Sequence, residues 1–224
     1  MVSARQIPLD LGHRPAQSRD DLVVSEANRP AVDLIEAWPR WPTNVVSLSG
    51  PAGSGKTHLA ALWREMSGAE VLRAADLSAL APVAERPVLI DDADQGTLDE
   101  TGLFHLLNAV RAGQNHMLLV SSRPAATWSV GLPDLRSRLR AAASVEIGAP
   151  DDALLAGVLA KLFADRQVEV EPSVIQYLVK RMERSLAEAE RIVKALDGAA
   201  LETKRPITRA LAASLIADGN GGHR

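Results

Sequence analysis

Apolar residues along this chain keep two different rhythms. Short, nearly unbroken apolar runs occupy residues 45–49, 70–73, 86–94, 117–124 and 145–148. Runs of that kind, bounded by polar or turn-forming residues, read as strands buried on both faces, as parallel strands are. Between them the spacing changes. Residues 99–113 place Leu103, Leu106, Leu107 and Val110 at i, i+3, i+4 and i+7, and Gly113 supplies a stop, the signature of an amphipathic helix. Residues 28–38 read as a helix with Pro30 in its first turn, residues 58–66 as another, and residues 132–140 as a segment carrying Arg136, Arg138 and Arg140. Val23-Val24 is a candidate short strand ahead of the first helix. Five strands separated by helices predict an α/β domain with a five-stranded parallel sheet covered on both sides.

From Pro150 the strand rhythm stops. Asp151-Asp152 caps a helix with Leu154, Leu155, Val158, Leu159, Leu162 and Phe163 on one side. Pro172 opens a second helix, residues 185–201 form a third and residues 207–216 a fourth. The expected organisation is an arm over residues 1–21, an α/β domain over 22–150, a small all-helical lid domain over 151–218 and a disordered tail from 219 to 224. The pair Trp38 and Trp41, set between prolines, reads as packing that ties the linker to the domain.

Composition narrows the classes. Hydrophobic residues make up 46% of the chain and charged ones 24%, enough for a core, but only 3% are aromatic. That core must rest on Leu, Val, Ile and Ala. A net charge of −3 supplies no global basic field for holding a polyanion, so autonomous duplex binding is disfavoured and only a local patch is compatible with it. The absence of cysteine excludes disulfides and cysteine-ligated zinc, and the five histidines show no metal-ligand spacing. No apolar run approaches the length of a membrane span and residues 1–6 show no signal-peptide core. The chain reads as a soluble cytoplasmic protein.

The strongest local signal is Gly50-Pro51-Ala52-Gly53-Ser54-Gly55-Lys56-Thr57, a G-x-x-x-x-G-K-T pattern lying between a predicted strand and a predicted helix. The glycines let the backbone amides turn inward around phosphate oxygens, and the positive end of the following helix faces the same anion. Lys56 is placed for the β- and γ-phosphates and the Thr57 hydroxyl for Mg²⁺. About 35 residues on, the run ending Leu89-Ile90-Asp91-Asp92 offers Asp91 for the Mg²⁺ water shell and Asp92 to orient or deprotonate an attacking water. In the arm, Gln6-Ile7-Pro8-Leu9-Asp10-Leu11 sets a glutamine before apolar residues at alternating positions. An extended peptide of that kind can fill pockets on a partner, and a polar arm without a partner fits the composition as well.

A nucleotide core followed by a helical lid resembles the AAA+ plan over nearly the whole chain, and several stretches resemble the replication initiator DnaA. Leu118-Leu119-Val120-Ser121-Ser122-Arg123-Pro124 is similar to its sensor-1 strand, Asp134-Leu135-Arg136-Ser137-Arg138-Leu139 to its arginine-finger box, and Met182-Glu183-Arg184-Ser185-Leu186-Ala187-Glu188-Ala189 to its sensor-2 helix. The resemblance implies Arg138 as a finger acting on a neighbour's γ-phosphate. It also implies nucleotide contacts from Val23, Val24, the phosphate loop with His58, Ser122 and Arg184. The chain departs from the DnaA pattern where Ser122 stands in place of an Asp, which argues against efficient intrinsic hydrolysis. The sequence shows no room for DnaA's DNA-binding domain, and Gln6, Ile7, Leu9 and Leu11 resemble the hexapeptide that grips the β sliding clamp. This layout is similar to the Hda (HdaA) family of DnaA-related regulators. Membership implies bound ADP or ATP with Mg²⁺, partnership with DnaA and the clamp, and stimulation of DnaA's ATPase; it leaves a homodimer open. An autonomous AAA+ ATPase such as a helicase loader is the competing reading, since Lys56, Thr57, Asp91 and Asp92 are intact. A DNA-anchoring adaptor would need a basic surface that the composition does not offer.

Overall fold

The computed structural model of the chain describes residues 19, 22–80, 86–203 and 205–220. Five strands, β1 (Val45–Ser49), β2 (Glu70–Leu72), β3 (Val88–Ile90), β4 (Met117–Ser121) and β5 (Ala143–Glu146), form one parallel sheet in the order β2-β3-β4-β1-β5. Strand β1 lies between β4, with Ser49 opposite Ser121, and β5, with Ser49 opposite Glu146. All five carboxyl ends therefore open on the same side, where open α/β sheets place their ligands.

Pleating sends alternate residues to opposite faces, and both faces are covered. Val88, Ile90, Met117 and Leu119 pack toward α3 (Glu100–Ala112) and α4 (Pro133–Ala141), against Leu103, Leu106, Val110, Leu135 and Leu139. Leu89, Leu118, Val120, Val46 and Leu48 face α1 (Arg29–Glu36) and α2 (Lys56–Ser67). Three of the four tryptophans lie on that second face. Trp41 stacks on the fully buried Trp63 with centroids 5.1 Å apart and meets His116 edge-on at 5.6 Å. Trp38 also meets His116 edge-on, and burial holds the His116 imidazole below its usual pKa. The tryptophans do tie the linker to the domain.

Helices α5 (Asp152–Asp165), α6 (Pro172–Val179), α7 (Leu186–Thr203) and α8 (Arg209–Asn220) enclose a separate core around Leu155, Leu159, Phe163, Leu178, Ile192 and Leu196. Asp151 caps α5 by accepting from the Leu154 amide at 2.6 Å, and Asp99 caps α3 by accepting from Gly102 N–H at 2.8 Å.

Three local expectations differ from the structure. Val23-Val24 pairs with no strand; the Asn28 amide group donates to the Val23 carbonyl at 2.9 Å and its oxygen accepts from Ser25 N–H at 2.8 Å, so a side chain satisfies backbone that a ladder would otherwise have to. Strand β5 begins at Ala143, earlier than its apolar pattern, because it is an edge strand whose residues are only partly covered. Helix α8 continues to Asn220, past the polar residues where the tail is expected to begin. Among the described residues no helix is long and apolar enough to cross a membrane.

Because Trp63 is wholly buried against Trp41, Trp63→Ala should cost about 3–5 kcal/mol. Chemical denaturation should show a lower midpoint with an unchanged slope.

Candidate functional site

The phosphate loop turns off β1 through backbone that only glycine adopts easily. Gly53 has φ +70°, and a Cβ there would lie 2.0 Å from Ser185 Oγ in the lid. Gly50, at φ +154°, would push a Cβ to 2.3 Å from the Ile147 carbonyl oxygen. Gly55 caps α2 and has no side chain to cover the first-turn amides, which leaves them to an anion. Ser54 Oγ is buried with no hydrogen-bond partner, and Lys56 Nζ folds back to donate to the Pro51 carbonyl at 2.8 Å. An orphaned hydroxyl, uncovered helix amides, an ammonium held over the loop and a cradle that a single Cβ would fill together suit a phosphate chain.

This loop forms one wall of a cavity of about 400 Å³. Gly53, Ser54, Gly55, Lys56, Thr57 and His58 line it with Val23; Leu154, Val158 and Leu162 of α5 and Leu186 of α7 supply an apolar wall opposite. The Lys161–Asp165 pair, 2.9 Å apart, and Glu190 are polar groups in the same lining. The dimensions and the apolar wall beside the phosphate cradle suit a nucleotide with its base under the lid. The lid reaches the loop directly: Leu186 N–H donates to the Gly53 carbonyl at 2.8 Å. On the other side, Asp151 Oδ2 accepts from Ala27 N–H at 3.3 Å, joining the start of α5 to the segment before α1. Hydrogen bonds, that from Leu154 first, hold the Asp151 carboxyl below the usual carboxylate range.

The remaining residues expected at the site fall into separate groups. Asp91 and Asp92 follow β3, two strands from β1, at the same end of the sheet; Asp91 Oδ1 accepts from Asp92 N–H at 2.9 Å, and Asp92 has φ +50°. Ser122 follows β4 next to the loop, but its hydroxyl is bonded to Asp94. Arg184 is turned to the domain junction, donating to the Pro150 carbonyl at 2.9 Å and to Asp152 at 2.5 Å. Val24 is exposed, and neither it nor Gly50, Asp91, Asp92, Ser122 or Arg184 lines the cavity. Arg138 lies partly buried with its guanidinium carbon 5.3 Å from the Phe104 ring centroid, while Arg136 donates to the Val130 carbonyl at 2.6 Å. Gln6, Ile7, Leu9 and Leu11 lie outside the described residues. No cluster of three or more metal-ligating side chains occurs among the described residues, so Mg²⁺ here would depend on phosphate oxygens with Thr57 and Asp91.

Asp94 is the residue that sequence reasoning missed. Its side chain is 3% exposed, it accepts from Ser122 N–H at 2.9 Å and Arg123 N–H at 3.1 Å as well as from the Ser122 hydroxyl, and Arg123 Nε stands 3.9 Å away. Burial opposes its charge, but these hydrogen bonds prevail and hold the carboxyl below its ordinary pKa. Asp94 thus clamps the ends of β3 and β4 together. The acidic run after β3 marked the region but not this residue.

A parallel sheet in this order, a phosphate loop after its inner strand β1 and a helical lid beside it make up the AAA+ fold. Residues 152–213 match the family described as the Hda lid domain. DnaA of Cutibacterium acnes is 25% identical over 240 residues, covering 93% of this chain and 48% of its own length; DnaA of Thermomicrobium roseum is 25% identical over 138 residues, covering 59% of this chain and 29% of its own. The chain spans about half or less of the length of the curated relatives it matches. Among solved structures, domain III of Thermotoga maritima DnaA superposes with TM-score 0.76 at 20% identity, covering 91% of this chain and 97% of that one. A Thermotoga maritima RuvB motor variant superposes with TM-score 0.73 at 19% identity, covering 91% and 73%. A DnaA bound to AMPPCP and single-stranded DNA gives 0.69 at 20% identity, covering 85% and 68%. The chain thus has the AAA+ fold, residues 152–213 match the Hda lid domain, and its sequence is similar to DnaA.

Since the folded pKa of Asp94 is depressed, its contribution to stability is complete above the ordinary carboxylate pKa and disappears as pH falls through the folded value. Asp94→Asn should therefore melt below the native protein at pH 7, with the gap closing as pH falls below about 4. Thermal unfolding across that range tests this; a gap of constant size would contradict it.

Proposed function

We propose that this chain is a regulator of replication initiation that binds ADP or ATP, is tethered to the DNA-loaded β sliding clamp, and stimulates ATP hydrolysis by DnaA. The observation that carries this reading is the state of the groups expected to promote hydrolysis within the chain. The Ser122 hydroxyl is committed to Asp94, while the phosphate cradle and apolar wall of the cleft are intact. Such a site holds nucleotide better than it cleaves it. That suits a protein whose nucleotide sets its conformation and whose catalytic effect falls on a partner. The Hda lid and the DnaA relatives support the same assignment.

In this reading the phosphate-loop amides and Lys56 hold the phosphates, Thr57 and Asp91 hold Mg²⁺, and Val23 with the α5 wall receives the base. Mg²⁺ supplies charge neutralisation at the phosphates. Asp92 is the group placed to orient water in any residual hydrolysis. Arg138 leaves the Phe104 ring to reach the partner's γ-phosphate; a ring contact is worth about 0.5–1 kcal/mol when exposed and about 2 kcal/mol when desolvated, and the partly buried Arg138 lies between these limits. Gln6, Ile7, Leu9 and Leu11 bind the clamp as an extended peptide. The protein works at the bacterial nucleoid, in the cytoplasm.

The test is hydrolysis by ATP-bound DnaA in the presence of DNA-loaded clamp, ADP and this protein. Acceleration is expected, with Arg138→Ala removing nearly all of it, because a trans-acting finger supplies about 10³-fold or more. Gln6→Ala should remove the clamp dependence while leaving the folded protein able to bind nucleotide. If DnaA is unaffected and the chain itself hydrolyses ATP through Lys56 and Asp91, the autonomous ATPase reading replaces this one.

A further inference from the structure

On the lid, away from the cleft, two cations share one ring. The guanidinium carbon of Arg181 lies 4.1 Å from the Tyr177 ring centroid and that of Arg209 lies 4.9 Å from it. Tyr177 is the chain's only tyrosine. It sits half-buried on α6, Arg181 follows that helix, and Arg209 is the first residue of α8, which packs against α6. Lys180 and Arg205 are exposed beside them in sequence, and α8 has no acid in its first turn. Among the described residues no ion pair joins Lys180, Arg181, Arg205 or Arg209 to a carboxylate; the nearest acid in sequence is the exposed Glu183.

Like charges held together without an acid repel one another, and only the ring contacts offset that repulsion. Each guanidinium can rest its plane on the ring and still turn N–H edges outward, which is the geometry that grips a phosphate bidentately. The positive end of α8 adds to the same field. We infer that this face of the lid, centred on Arg181, Tyr177 and Arg209, is a docking surface for the phosphate backbone of duplex DNA.

The surface also limits what can bind. Single-strand binders depend on exposed rings on which bases stack, whereas Tyr177 is half-buried and engaged by both arginines. A membrane-seeking helix needs apolar side chains beside its cations, and none of the exposed large apolar residues, Val24, Met66, Val71, Leu132 and Leu201, belongs to α6 or α8. What remains is recognition of closely spaced phosphates without base contacts. With a net charge of −3 on the whole molecule, such binding is local, weak alone and steeply salt-dependent. The inference does not depend on which nucleotide fills the cleft, because none of the residues of this face lines it.

Fluorescence anisotropy of a labelled duplex with the full chain, at about 50 mM and about 200 mM salt, tests it. Binding should weaken steeply with salt. Arg181→Ala with Arg209→Ala should lower affinity about 10-fold or more and reduce the slope of log affinity against log salt by about 2, with nucleotide affinity unchanged. Should that variant not fold, Arg181→Lys with Arg209→Lys decides, since it keeps the charge and should keep the slope, while Arg209→Glu alone should abolish binding. Equal duplex binding by the native and double-alanine proteins would overturn the inference. So would tighter binding to the single strand, or Arg181- and Arg209-dependent capture by anionic phosphatidylserine vesicles without duplex binding.

Discussion

What the cleft can do depends on one contact, the meeting of the phosphate loop with the start of α7. The Leu186 amide donates to the Gly53 carbonyl, and Gly53, in left-handed backbone, leaves no space between its Cα and Ser185. The loop is therefore shaped by its own glycines and by the lid resting on it. Because β1 carries the loop and α7 begins at Leu186, this backbone hydrogen bond joins loop and lid without an intervening side chain. The apolar wall from α5 is brought over the loop by the same packing, with Asp151 fixing the opposite edge through Ala27. The cleft lies between two separate hydrophobic clusters, one on the sheet face covered by α1 and α2 and one inside the lid.

The layered core was legible because burial on both faces leaves a pattern that periodicity detects. Leu89 and Leu118 face one way and Ile90 and Leu119 the other, and a run apolar at every position says that both sides are covered. The edges were less legible. Half the residues of β5 are exposed, so its pattern is diluted, and Val23-Val24 has strand-forming residues but no neighbour to pair with. The stripe Leu154, Val158, Leu162 was readable as a helix face, yet these residues wall the cavity as well as the lid. Helical spacing alone does not tell a cleft wall from a core.

For the site, the motif located the loop, but partners stayed hidden wherever they lie far apart in sequence. Asp94 and Ser122 are 28 residues apart and meet only because β3 and β4 are neighbours. Arg184 and Asp152 are 32 apart and meet only because α5 and α7 pack together. In the chain Asp94 reads as the end of one acidic run, and nothing local distinguishes it from Asp91 and Asp92. Its burial is what separates it: a carboxylate 3% exposed must find donors, and it finds them on the next strand.

Magnitudes decide which of these polar contacts is a fixture and which is an adjustable setting. The Arg184–Asp152 pair is open to water, with side chains 53% and 64% exposed, and a surface pair of that kind is worth about 0–1 kcal/mol. A phosphate with its higher charge can compete for Arg184 at little cost, and Pro150, whose carbonyl Arg184 also holds, lies in the connection between β5 and α5. Asp94 is the opposite case. Removing its donors would leave a covered carboxylate without partners, and a hydrogen bond to a charged group is worth about 1.5–3 kcal/mol, so this junction of β3 and β4 is the firmer of the two. The lid junction is therefore held by an exchangeable surface contact, and the sheet end by a covered one.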